Sequence, residues 1–169
     1  METGCLEVVV NRKTNTLTKM KYYGAIVLTV CFCLLSLLVH FAFLVLMIAS
    51  AVLVYFSWLD CVVDYEYAYV DKEIRIAKIQ QKQRRKDVAV YDLAKMEMMA
   101  PQGSFHLDEY KNRKLEVHDY SSGDDDNKSC RYELVMEGGK KVILDLVGEY
   151  GEQIVTVVRG YYPRKVFTN

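Results

Sequence analysis

The sequence predicts an α+β membrane protein. An N-terminal transmembrane helical hairpin leads into a seven-stranded antiparallel sheet or barrel with a C-terminal capping helix. Three observations carry this. The whole run from Tyr22 to Leu59 lacks Lys, Arg, Asp and Glu. From Asp60 onward the apolar period changes from helical to two. The closing stretch "GEYGEQIVTVVRGYY" returns to helical spacing.

The length of the run sets the number of spans. One unbroken helix over the run would be about 57 Å long at ~1.5 Å per residue, nearly twice the ~30 Å hydrocarbon core. Two spans fit, at about 22–38 and 42–59, with the turn near Ser36 to His40. His40 is the most polar side chain of the run, and a turn at the far membrane surface keeps it out of lipid. Arg12, Lys13, Lys19 and Lys21 precede the run, and Lys72, Arg75 and Lys78 follow it. Positive charge on both flanks puts both termini in the cytoplasm and the protein in the cell membrane as a multi-pass chain. Tyr22, Tyr23, Tyr55 and Trp58 stand at the inner edges as interface anchors. A re-entrant hairpin that does not cross fully is the other reading, because the spans are short and the turn lacks Gly and Pro. A secretory signal is excluded, since its apolar core is usually ~7–15 residues long.

The chain then divides into a cytoplasmic N-terminal segment (1–21), the hairpin (22–59) and a cytoplasmic domain (60–169). In the first, Leu6, Val9, Val10 and Lys13 have roughly helical spacing. That segment is read either as lying along the inner membrane face or as an irregular polar lead-in.

Seven strands are legible in the domain. "VDYEYAYVD" alternates, with Tyr65, Tyr67 and Tyr69 on one face and Glu66, Ala68 and Val70 on the other. "EIRIAKI" follows a tight turn at Asp71-Lys72, with a slip in phase between Ile76 and Ile79 that suggests a bulge. "DVAVYDL", "AKMEMMAP" and "RKLEVHDY" are three more, Pro101 closing the middle one. "CRYELVME" and "KKVILDL" flank Gly138-Gly139, a two-residue hairpin turn. "SSGDDDNKS" is read as a solvated loop, since the calcium-loop pattern is missing. Tyr150, Ile154, Val157, Val158 and Tyr161 form the apolar stripe of the last helix, which Pro163 stops. The β-branched content of that segment favours a strand instead, so both states stay open at 149–161.

Seven strands and then a capping helix resemble the pleckstrin-homology-like fold. "DYEYAYVDKEIRIAKI", the basic "KQRRK", "MAPQGSFHLDEY" and "YYPRKVF" together resemble an uncharacterised family of small bacterial membrane proteins, in which two spans precede a domain of this kind. The resemblance covers about residues 15–169. It implies the fold and carries no activity, ligand or catalytic residue. "IVTVVRG" departs from the more helix-forming segment usual there, which puts the helix boundary in question.

The chemistry-bearing residues are sparse. Lys and Arg number 22, as do Asp and Glu, so no global field points to nucleic acid. Five scattered cysteines (Cys5, Cys31, Cys33, Cys61 and Cys130) have neither zinc nor disulfide spacing and read as free thiols. His40, His106 and His118 stand at no ligand or nucleophile spacing. His106 lies near Asp108 and Glu109 in a loop anchored by Phe105, Leu107 and Tyr110. No catalytic residue, metal or cofactor is expected.

One cluster has a functional mechanism. Lys82, Arg84, Arg85 and Lys86 put four positive charges in one turn, close to the end of the second span. An anionic leaflet attracts each nearby basic residue by about 1 kcal/mol. The sequence predicts a membrane-anchored, non-enzymatic interaction or scaffold module that holds another membrane or cytoplasmic protein, or further copies of itself. The alternative is binding or sensing of anionic lipid through 82–86. An enzyme centred on His106 is a third.

Overall fold

The computed structural model describes residues 6–168. The elements are β1 (Leu6–Asn11), α1 (Thr16–Leu38), α2 (Phe43–Leu59), β2 (Val63–Val70), β3 (Glu73–Gln80), β4 (Arg84–Asp92), β5 (Met96–Pro101), α3 (Asp108–Lys111), β6 (Glu116–Asp119), β7 (Arg131–Met136), β8 (Lys140–Asp145) and α4 (Gly148–Tyr161). They divide into two compact units. One joins the residues up to Arg12 with 64–79 and 85–169, and the other joins 13–63 with 80–84.

The second unit is a helical hairpin with a short strand-to-strand turn. α1 has 23 residues and is long and apolar enough to cross a membrane, whereas α2 is a shorter apolar helix of 17 residues. The exposed side chains of both helices are largely aliphatic, Val27, Leu34, Leu38, Val45, Ile48 and Leu53 among them. α1 begins at Thr16, ahead of the uncharged run, because the Asn15 side chain caps it by accepting from Leu17 N–H. Residues 39–42 make the turn, so short a connection that the helices are antiparallel neighbours. His40 stands in it, exposed. Its Nδ1 accepts the Ala42 N–H at 3.1 Å, which supplies a partner for a donor at the start of α2.

The first unit contains two four-stranded sheets, ordered β1-β2-β3-β4 and β5-β7-β8-β6. All seven strands expected after Asp60 form at their places. The expectation of an antiparallel sheet or barrel is corrected in three respects. The sheets do not close into a barrel, β6 runs parallel to β8, and an eighth strand comes from the N-terminal segment. From Leu6 to Asn11 that segment is neither a helix, as its spacing suggested, nor an irregular lead-in. It pairs antiparallel with β2, Val8 opposite Tyr67 and Val10 opposite Tyr65. Val8 and Val10 are buried while Val9 between them is exposed, which is period two rather than helical spacing. Cys5 lies outside the described residues.

β2 is buried on both faces, Glu66 and Ala68 as well as Tyr65, Tyr67 and Tyr69. Chain reversals follow backbone chemistry. Asp71 and Lys72 have φ of 50° and 64°, and Gly138 and Gly139 have 86° and 78°, the positive values that two-residue hairpin turns require. α4 resolves the open choice at 149–161 as helix, with its stripe one position out of phase. Gly151, Ile154, Val155 and Val158 are buried, whereas Tyr150 and Tyr161 are exposed. Gly151 sets this phase, since a Cβ there would lie 2.3 Å from the carbonyl carbon of Leu146. Only a residue without Cβ lets the helix sit so close to the end of β8.

After α4, residues 165–167 run along β5, with Met99 N–H donating to Lys165 O at 2.8 Å and Phe167 N–H to Met99 O at 2.9 Å. An otherwise open sheet edge is thereby covered. The "SSGDDDNKS" segment is less solvated than expected. Ser121 and Ser122 are buried, held by Asp119 and by the fully buried Asp145.

Candidate functional site

The basic cluster is divided by the fold. Gln81 and Lys82 have φ of 52° and 57°, and Gln83 N–H donates to Gln80 O at 3.1 Å. This is a type I′ hairpin turn, which holds two non-glycine residues in the left-handed region. Lys82 occupies the turn itself, while Arg84, Arg85 and Lys86 form the start of β4 rather than part of a loop. All four are exposed. Lys82 and Arg84 belong to the hairpin unit, and Arg85 and Lys86 to the sheet unit. Arg85 is already engaged. Its Nη2 lies 2.9 Å from Oε1 of the buried Glu66, as a charge contact outside hydrogen-bond alignment.

Within the hairpin unit the turn is clamped to the end of α2. Gln81 Nε2 donates to Trp58 O, Gln81 N–H to Val62 O at 3.0 Å, and Gln80 Nε2 to Asp60 Oδ1 at 3.1 Å. On the other side, Thr14 Oγ1 donates to Cys61 O at 2.6 Å and ties the lead into α1 to the exit from α2. The entry, the exit and the turn therefore share one end of the hairpin. That end carries Lys13, Lys19, Lys21, Lys82 and Arg84, against a single carboxylate in the unit, Asp60.

The interface candidates lie near the same end. Tyr22 and Tyr23 are in the second turn of α1, half-buried and exposed respectively, with ring centroids 5.5 Å apart. Tyr55 and Trp58 are exposed near the end of α2, 6.4 Å apart. Arg12, counted with the flanking charges, is used otherwise. It donates to Tyr65 Oη at 2.7 Å and to Asp119 O at 3.3 Å in the sheet unit. Gln80 and Gln81, which place the turn, were not expected as site residues. Neutral amides beside a basic run have no pattern that announces a contact with a helix end so far back in the chain.

The remaining candidates resolve locally. His106 stacks on Phe167 at 3.7 Å and beside Phe105 at 3.9 Å. Leu107 anchors this segment in a cluster with Ala100 and Val135, against which Tyr110 packs, while Phe105 is exposed rather than an anchor. Burial raises the pKa of Tyr67, whose hydroxyl donates to Tyr120 O, and also that of Tyr91. Among the described residues no group of three His, Cys, Asp or Glu is placed to hold a metal ion.

Comparison with known proteins gives one result that covers nearly the whole chain. A family described as a bacterial PH-like domain, DUF6106, matches residues 4–168. No curated protein and no solved structure matches.

Proposed function

The chain belongs to the DUF6106 family of bacterial PH-like domains, and from that premise we propose a membrane-anchored, non-enzymatic module that contacts anionic lipid through the foot of its helical hairpin. The observation that carries the reading is the clamp of Gln80 and Gln81 on the end of α2. It fixes Lys82 and Arg84 beside Trp58, at the end where Lys13, Lys19 and Lys21 also lie. Aromatic rings favour the headgroup layer, and basic side chains at that depth meet anionic headgroups. The aliphatic exposure of both helices supports two spans. The uncharged turn at His40 then lies at the far surface and both termini in the cytoplasm. Reporters fused to either terminus test that topology, and one terminus outside overturns it.

Lipid contact is tested on the full chain in nanodiscs that mix phosphatidylglycerol with phosphatidylcholine. Native mass spectrometry reads which lipids are retained. At about 1 kcal/mol per basic side chain, K82E/R84E lowers the preference for the anionic lipid at least about tenfold, and added salt lowers it in the unaltered chain. An unchanged preference refutes the reading. Arg85 stays intact in this variant, because a carboxylate there would face the buried Glu66. A fragment starting at residue 62 is unsuitable, because it lacks β1.

A protein-docking role has one observation in its favour. β4 lies at the edge of its sheet and exposes Val88 and Val90, a place where a further strand can add. Photo-crosslinking from Val90 in cells tests it, and the absence of any crosslinked protein or second copy rules it out.

A further inference from the structure

The sheet unit contains a half-open groove of about 400 Å³ between α4 and the Ser129–Tyr132 segment, a size in the usual ligand-pocket range. Its floor is apolar, made by Leu146 and Val155, both buried. Tyr132 lines a wall, and its phenol, neutral at physiological pH, is pushed further up by burial. The two charged lining residues, Glu152 and Arg159, stand on one face of α4. Two helical turns separate them, about 10 Å along the axis. Arg159 is oriented by a bond from Nη1 to Thr168 Oγ1 at 2.7 Å. It makes no ion pair among the described residues.

From this arrangement we propose that the groove binds a short free peptide by both of its ends, the carboxylate at Arg159 and the ammonium at Glu152. Guanidinium matches carboxylate through paired parallel hydrogen bonds. A carboxylate at the other end accepts from an ammonium and repels a second anion, so a zwitterion is favoured over a phosphate dianion. The span selects length. Two or three extended residues cover about 7–11 Å at ~3.3–3.6 Å each, and one apolar side chain then rests on Leu146 and Val155. The inference is independent of the lipid contact, since it uses none of the basic residues at the hairpin foot.

The test is calorimetric titration of the full chain in nanodiscs with the tripeptide Ala-Leu-Ala, its N-acetyl form and its C-terminal amide. The expected result is saturable binding of the free tripeptide, tighter than about 1 mM, with each blocked form at least about tenfold weaker. R159Q reproduces the loss seen with the amide, and E152Q the loss seen with the acetylated form. Blocking the probe needs no change in the protein, so the result stands even where a variant fails to fold. No binding of the free tripeptide at millimolar concentration overturns the proposal. Equal binding of free and blocked forms overturns it as well.

Discussion

Arg131 and Asp145 are opposite one another in the β7–β8 register, and the pair can be tested by removing one charge. The Asp145 carboxylate is fully buried. It accepts from Arg131 Nε at 2.6 Å, from Arg131 Nη2 at 3.2 Å and from Ser122 N–H at 2.9 Å, with the Ser122 hydroxyl as a fourth donor. Arg131 Nη2 also donates to Asp124 O at 2.9 Å, so one guanidinium joins two strands and the loop before them. Hydrogen bonding to Asp145 raises the arginine pKa further, so the charge persists at every workable pH. Arg131→Met keeps a long apolar stem but leaves the buried carboxylate with Ser122 alone. Breaking a buried pair from one side costs about 3–5 kcal/mol, a large share of the ~5–15 kcal/mol that holds a domain together. The double variant R131M/D145L removes both charges and recovers most of the loss, apart from about 1 kcal/mol for the acceptor that Ser122 no longer has. Urea unfolding of the full chain in detergent, followed by near-ultraviolet circular dichroism, reads both. A single-variant cost below about 1 kcal/mol, or a double variant as unstable as the single, refutes the reasoning.

Two other perturbations follow from the same structure. Gly151→Ala places a methyl 2.3 Å from the Leu146 carbonyl carbon and 2.4 Å from its oxygen, both backbone atoms. The helix must shift, at a cost of at least ~1–3 kcal/mol, and a thermal midpoint within about 2 °C of the unaltered chain would contradict the close approach. Tyr67 is one of the buried tyrosines, with Tyr91, that contribute to the alkaline limit. Burial raises its folded pKa above the ordinary 10.0, so its contribution is complete below about pH 10 and is lost as pH rises towards the folded value. Tyr67→Phe costs about 1 kcal/mol at neutral pH through the lost bond to Tyr120 O. It also makes the fall of stability above about pH 10 shallower by about 1.4 kcal/mol per pH unit, and an unchanged slope in alkaline unfolding titrations would disprove it.

Local chemistry alone determined much of this protein. The uncharged run dictated two helices with His40 in the turn between them. Short apolar runs, the clearest of them strictly alternating, marked the seven later strands, and Asp71-Lys72 and Gly138-Gly139 marked two hairpin turns, because side-chain period and backbone φ are properties of neighbouring residues. What the sequence left open was decided by residues distant along the chain. Val8 and Val10 pair with β2 across the whole hairpin, a contact no short window contains, so β1 could be identified only once β2 lay beside it. Gly151 rotates the stripe of α4 because the Leu146 backbone lies against it. The basic cluster was legible as charge, yet Glu66 occupies Arg85, and Gln80 and Gln81 bring Lys82 and Arg84 to the end of α2. Charge is written in composition. Its direction and its partners depend on which strands and helices come to lie side by side, and that only the tertiary structure decides.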